Sequence, residues 1–346
     1  MATRAAAVIG AGSWGTALAA RVLSHNFDRV TIWSRRDKLA LAINEERENK
    51  KYLPGVAIPP HVVATSSLIE ATQGQDLLVF AIPSAHLREV LKKVAPLLST
   101  PVDIVNTAKG FEPNTLQRLS EVIEEEIGSK ARSIGVLSGP NHAEEVGQDM
   151  PSASVVSSVD RDAAQRLQDA FFTPNFRVYT NHDIIGVELG GALKNIIALA
   201  AGIADGMGFG DNTKAMLITR GLGEVVRLGV CLGADPRTFA GLSGIGDLIA
   251  TCTSKHSRNW NAGFKIGQGQ TLKEVTGGTH MVIEGAFATQ ATYKLAQRHK
   301  VEMPLTEALY RVLFADQEPR VTLVEMMNRV RKHEYEDLEF VNREKQ

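Results

Sequence analysis

The residue types best suited to chemistry cluster at a few places in the chain. Lys194 lies in Gly186-Val-Glu-Leu-Gly-Gly-Ala-Leu-Lys-Asn195-Ile-Ile-Ala. Leu189, Leu193, Ile196, Ile197 and Ala200 give this segment an apolar helical face. Gly190 and Ala198 flank the lysine at i, i+4 spacing, a row of small residues beside an ammonium. Glycine in a helix costs about 1 kcal/mol against alanine, and close approach by a ligand or another backbone would account for that cost. A lysine snorkelling beside a tight helix contact fits the same pattern. Lys109, in Asn106-Thr-Ala-Lys-Gly110, follows an apolar run. It reads as a lysine at a sheet edge or as an ordinary loop lysine. Two ammonium groups near one site would lower each other's pKa and poise one for proton transfer.

Asp247 and Thr251, in Ser243-Gly-Ile-Gly-Asp-Leu-Ile-Ala-Thr251, share a helix face at i, i+4. A first-turn aspartate is also favoured by the helix dipole alone. Ser257-Arg258-Asn259 precedes a further helical pattern. A serine cap, a guanidinium and an amide at a helix start make a phosphate cradle; a simple cap beside a solvated arginine is the plainer alternative.

Near the N-terminus, Gly10-x-Gly12-x-x-Gly15 sits between the apolar run Ala5–Ile9 and an Ala-rich helical run. In a dinucleotide-binding unit Gly10 permits the strand-to-helix turn, Gly12 lets a pyrophosphate approach the backbone, and Gly15 lets the helix pack close to the strand. The second apolar run, Val30-Thr-Ile-Trp33, leads into Ser34-Arg35-Arg36 with no carboxylate at the edge itself, though Asp37 is close. A carboxylate there would select the ribose 2′-hydroxyl. A serine and two guanidiniums suit a 2′-phosphate, so NADPH is expected to be preferred with NADH usable. Arg35 stacked on adenine with Arg36 in solvent is the alternative.

Residues of this kind need elements to position them. Ala5–Ile9, Val30–Trp33, Leu77–Ile82, Val102–Asn106 and Ile134–Leu137 read as strands; Ala17–Ser24, Asp37–Glu46, His86–Leu98 and Thr115–Ile127 read as helices. This alternation predicts an α/β fold with a Rossmann-type doubly wound, mostly parallel sheet. Its chemistry should lie in loops after strands, including Ala108–Phe111 and Ser138–Ala143. Beyond Asp183 the strand signals fade. Ile184–Ala204, Asn212–Leu232, Pro236–Ala240, Ile245–Thr253, Trp260–Gln268, Val282–Arg298 and Pro304–Phe314 predict an all-helical C-terminal domain. The expected division is a dinucleotide-binding domain at 1–182, a helical substrate-binding domain at 183–330 and a charged tail at 331–346.

The 346 residues are 44% hydrophobic and 22% charged with net charge −1, ordinary values for a globular chain of two domains. That balance argues against broad nucleic-acid affinity. No uninterrupted apolar run reaches membrane-spanning length. Cys231 and Cys252 form neither a disulfide framework nor a zinc pattern, and no metal is expected. The cytoplasm is the expected location.

These fragments together resemble the NAD(P)-dependent glycerol-3-phosphate dehydrogenase family of the soluble bacterial type. The matching stretches are Gly10–Ala17, Lys109-Gly110, Ser138-Gly139-Pro140, Glu188–Asn195, Gly244–Leu248, Ser257–Asn259 and Val282–Gly285, in family order over nearly the whole chain. The resemblance implies hydride transfer between NAD(P)H and dihydroxyacetone phosphate, supplying glycerol 3-phosphate for phospholipid synthesis. It implies that Gly10, Gly12, Ser13, Trp14, Gly15, Arg35, Lys109, Ala143, Arg258, Val282 and Glu284 bind cofactor. Lys109, Gly139, Lys194, Asp247, Ser257, Arg258 and Asn259 would surround the substrate. Lys194 is implied as general acid/base, aided by Lys109, Asp247 and Thr251. The small-molecule substrate is the expected partner, and a homodimer is compatible with the family. One stretch departs: Gly139-Pro-Asn141-His142-Ala143 stands where the family commonly has Gly-Pro-Ser-Phe-Ala, which puts any hydroxyl role at 141 in question. Two alternatives remain. A β-hydroxyacid or ketopantoate-type reductase would not need the phosphate cradle, and a non-catalytic nucleotide sensor would not need Lys109, Lys194, Asp247 and Arg258 together.

Overall fold

The computed structural model describes residues 4–277, 283–331 and 333–334. Val282 and, within the charged tail, residues 332 and 335–346 lie outside the described residues. The chain divides into two compact units, Met1–Ile184 and Ile185–Gln346.

In the first unit, β1 (Ala5–Ile9), β2 (Arg29–Trp33), β3 (Glu48–Asn49), β4 (Leu53–Ala57), β5 (Val62–Thr65), β6 (Leu77–Phe80), β7 (Val102–Asn106), β8 (Ala131–Ser138), β9 (Ser152–Ser157) and β10 (Phe176–Asn181) follow in order. Eight of them form one sheet, β10-β9-β8-β7-β6-β1-β2-β5, and β3 pairs with β4 alone. Every pairing in the large sheet is parallel except β8 with β9. The central strands β1, β6 and β7 are buried along their whole length; β1 and β6 are continuous apolar runs, as strands covered on both faces tend to be, whereas β7 also buries Asp103, paired with Arg132 and Ser133, and Asn106. Successive strands leave β1 in opposite directions, so the crevice beyond the carboxyl ends of β1 and β6 is the topological switch point.

The intervening helices are α1 (Ser13–Ala17), α2 (Asp37–Glu46), α3 (Leu68–Thr72), α4 (Ser84–Val94), α5 (Leu119–Ile127), α6 (Ala143–Gly147) and α7 (Arg161–Phe171). The helix expected over Ala17–Ser24 instead begins at Ser13. It continues from α1 through a wide π-type turn, Leu18–Val22, and a tight 3-10 turn, Leu23–His25. Similarly, α5 starts at Leu119 rather than Thr115, because Thr115 bonds back to Glu112. Three strands of the large sheet, β5, β9 and β10, were not expected from the sequence. In β5 and β10 buried and exposed positions alternate, and β9 carries three serines, so no apolar run marks them.

The second unit is helical. It contains α8 (Ile184–Gly206), α9 (Asp211–Cys231), α10 (Asp247–Thr253), α11 (Arg258–Gly267), α12 (Leu272–Gly277), α13 (Glu284–His299), α14 (Pro304–Phe314) and α15 (Pro319–Met327). By length and composition α8 could cross a membrane, but 94% of its apolar window is buried inside the protein. It is the core helix of this unit. Its crossing with α11 is backbone on backbone. A Cβ at Gly202 or Gly206 would lie 2.1 or 2.2 Å from the carbonyl oxygens of Trp260 and Phe264. A Cβ at Gly263 or Gly267 would lie 2.1 or 2.2 Å from those of Leu199 and Ile203. Asp205 on α8 ties three helices, accepting from Trp260 Nε1 at 2.6 Å and from Lys214 Nζ at 2.9 Å.

Glu224 on α9 supplies the missing cap of α14. Its buried carboxylate accepts from the backbone N–H groups of Leu305 and Thr306 and from Thr306 Oγ1, which occupies orphan donors at the start of a helix. Burial pushes its pKa up to about 7, against the pull of those bonds and of Arg227. The folded protein therefore holds this proton more tightly than the unfolded chain does. Its contribution to stability is complete below about pH 4.5 and lost as pH rises through about 7. Thermal unfolding midpoints measured from pH 5 to 7.5 should fall more steeply in wild type than in Glu224→Gln; parallel curves would remove Glu224 from this role.

Candidate functional site

The glycine-rich turn divides its labour as the spacing demands. Gly10 has φ +134°, and a Cβ there would sit 2.4 Å from the Ala81 carbonyl oxygen. A Cβ at Gly15 would sit 2.0 Å from the Gly10 carbonyl oxygen, so only glycine lets the helix lie this close to β1. Gly12 differs: nothing lies within 4 Å of its would-be Cβ. It caps α1 without a side-chain bond, leaving an open cradle beside helix N–H groups at the switch point, which is what a dinucleotide pyrophosphate requires.

The surroundings brace that turn. Asn49 is buried and donates through Nδ2 to the Ala11 carbonyl at 3.1 Å and to Thr16 Oγ1 at 2.8 Å. Ser13 Oγ donates to the Tyr52 carbonyl at 2.6 Å, so its hydroxyl holds the β3–β4 segment. The Trp14 ring packs on the core beside Phe176, with centroids 6.3 Å apart. Neither Asn49 nor Tyr52 stood out in the sequence; each acts through loop-to-loop bonds that no local pattern encodes.

After β2, Ser34 is buried and bonded to the backbone of Arg36. Arg36 is not simply solvated: it donates to the Tyr52 hydroxyl at 2.8 Å. Asp37 accepts from Ser66 Oγ at 2.9 Å. Arg35 is exposed, close enough to Glu89 to act on its charge, and makes no hydrogen bond or ion pair among the described residues.

After β7, Lys109 Nζ donates to the Gly139 carbonyl at 3.2 Å and to Asn141 Oδ1 at 3.3 Å. This joins two of the loops singled out by sequence. The rest of the Lys109 loop is pinned by Glu112, which accepts from Thr115 N at 2.7 Å, Thr115 Oγ1 at 2.8 Å and Asn114 N at 3.0 Å. Burial pushes the Glu112 carboxyl up, but those bonds and Arg88 outweigh it and hold it below its ordinary range. Ala143 opens α6.

In the second unit Lys194 is buried, 6% exposed, which overturns the snorkelling alternative. Its ammonium donates to Asp247 Oδ1 and, at 2.6 Å, to Thr251 Oγ1. The Thr251 hydroxyl donates in turn to the Asp247 carbonyl at 2.6 Å. Gly190 makes this approach possible, since a Cβ there would lie 2.4 Å from the Ser243 carbonyl oxygen. The glycine beside the lysine therefore serves another backbone. Burial pushes the thiol of neighbouring Cys252 up to about 12, away from the thiolate form.

Ser257 is the N-cap of α11, accepting from Trp260 N at 3.2 Å. Asn259 is buried, donating to Asn195 Oδ1 at 2.9 Å and accepting from Gly285 N at 2.8 Å. It thereby ties the residue after Lys194 to the start of α13, where Glu284 stands. Arg258 is exposed and has no hydrogen bond or ion pair among the described residues.

Residues 5–164 match the family described as NAD-dependent glycerol-3-phosphate dehydrogenase N-terminus, and residues 183–324 match its C-terminus. The chain belongs to this family. It is 52% identical over 332 residues to a glycerol-3-phosphate dehydrogenase (NAD(P)+) of Bacillus pumilus, covering 96% of each chain. A glycerol-3-phosphate dehydrogenase (NAD(P)+) of Geobacillus kaustophilus is 53% identical, again over 96% of both. Among solved structures, a glycerol-3-phosphate dehydrogenase of Coxiella burnetii superposes with TM-score 0.89 at 37% identity, covering 94% of this chain and 99% of that one.

The cradle makes a sharp test. Gly12→Ala should raise the KM for NADPH about tenfold or more with little change in unfolding midpoint, because its Cβ would enter the open cradle and meet no protein atom. Gly15→Ala should lower the midpoint by several degrees, because its Cβ meets backbone. If the two variants behave alike, the division of labour is wrong.

Proposed function

We propose that this chain reduces dihydroxyacetone phosphate to sn-glycerol 3-phosphate, reversibly, with NAD(P)H. The observation that carries the reading is the buried ammonium of Lys194 held by Asp247 and Thr251. A carbonyl accepting hydride becomes an alkoxide, which needs positive charge and a proton. Lys194 Nζ offers both. Asp247 offsets the burial of the cation, and Thr251 fixes its position. The nicotinamide, when bound, supplies the hydride; the open cradle at Gly12 and the N-terminal turn of α1 would hold its diphosphate.

Lys109, held by Gly139 and Asn141, is assigned to the charge of the substrate. Arg258 is assigned to the substrate phosphate, since its guanidinium is exposed with no bond to satisfy among the described residues. Asn259 keeps one amide hydrogen for the same task. Holding the remote phosphate turns binding energy into orientation at the carbonyl. Ala143 and Glu284 are assigned to the cofactor, as the family resemblance implies. Both substrate and cofactor are small polar molecules, which fits a cytoplasmic enzyme that supplies glycerol 3-phosphate to phospholipid synthesis.

The reaction is followed by loss of NADPH absorbance on adding dihydroxyacetone phosphate. Lys194→Ala should lower kcat at least about a hundredfold; retention of more than about a tenth of wild-type kcat would overturn the assignment. Removing the lysine strands a buried carboxylate, so Lys194→Ala with Asp247→Asn should be measured beside it to separate lost chemistry from lost stability.

Cofactor choice has its own test. Arg35, the uncommitted guanidinium after β2, is assigned to the 2′-phosphate of NADPH. Arg35→Ala should raise the KM for NADPH about tenfold and that for NADH much less. An equal rise in both, or a wild-type preference for NADH, would show that Arg35 does not read the 2′-phosphate.

A further inference from the structure

We propose that Asn141 is a positioning residue that aims Lys109. The inference rests on the assignment of Lys109 made above. A lysine carries its charge on a flexible four-carbon stem with rotatable donors, so where the ammonium sits depends on what accepts from it. Here the acceptors include two oxygens of one loop, the Gly139 carbonyl at 3.2 Å and Asn141 Oδ1 at 3.3 Å.

The orientation of the Asn141 amide is fixed by chemistry. An ammonium cannot accept a hydrogen bond, so the amide oxygen must face Lys109. The amide nitrogen then points the other way, and it donates to Ser154 Oγ at 3.1 Å. Ser154 belongs to β9 and is fully buried. Gly139 presses the same loop onto the same residue: its φ is +144°, and a Cβ there would lie 2.9 Å from Ser154 Cα. Lys109 is thus referred through one side chain to a rigid strand. A serine at this position could also accept from Lys109 and donate to Ser154.

Asn141→Ala is expected to lower kcat/KM for dihydroxyacetone phosphate about tenfold, while the unfolding midpoint stays close to wild type. Asn141→Ser should recover most of that loss. The decisive measurement is the same substitution in a Lys109→Ala background, where it should cost less than about twofold, because Asn141 acts only through Lys109. An equal loss in both backgrounds would make Asn141 merely structural and overturn the inference while leaving Lys109 in place. If Lys109→Ala itself stays within about twofold of wild type, the assignment of Lys109 falls and the inference with it. Should Asn141→Ala not fold, Asn141→Leu, close to isosteric and unable to make either bond, is measured in both backgrounds by the same criterion.

Discussion

A lysine buried in the middle of an apolar helix is the constraint around which the second unit is arranged. Desolvating an ammonium costs several kcal/mol unless an opposite charge and hydrogen bonds accompany it. Lys194 therefore requires Asp247, which reaches it from a different helix, α10. That requirement passes outward. The segment leading to Asp247 must press against α8, so position 190 has room for glycine only. Thr251, one turn beyond Asp247, closes the arrangement by accepting from the lysine and donating to the aspartate carbonyl. Because the pair lies out of solvent, salt does little to screen it.

What could be read from sequence was what the backbone dictates locally. The three glycines at 10, 12 and 15 have distinct steric duties, and their spacing between an apolar run and a helical run points to them. Strands β1 and β6 are buried on both faces, so their apolar runs are continuous. In contrast, β5 and β10 lie at the two edges of the sheet, and their half-exposed alternation is too short to stand out. Ser154 and Ser157 in β9 are fully buried polar residues, which composition would place at a surface. The early start of α1 was hidden by Gly15 and Trp14, weak helix formers kept for their fit to β1 and the core.

The site follows the same division. Lys194, Asp247 and Thr251 could be suspected individually, but only the crossing of α8 with α10 turns them into one hydrogen-bonded group. Asn49, Tyr52, Ser154 and Asn195 carry no signal of their own. They support functional loops across chain separations that no periodicity spans. Glu112 is similar: its pull on Thr115 shapes the loop that carries Lys109 and shortens α5 at the same time.

The crossing of α8 with α11 sets a different kind of limit. Where two helices touch through glycine, their separation is determined by peptide groups, which cannot be exchanged by mutation. The span from Asn195 on one helix to Asn259 on the other is therefore a fixed length, closed by an amide-to-amide bond of 2.9 Å. A protein whose site spacing rests on side-chain volume can be retuned one methylene at a time. Here a larger residue at any of the four glycines would push the helices apart by a whole step. Gradual adjustment of that span is closed to this scaffold, and any retuning has to come from the loops.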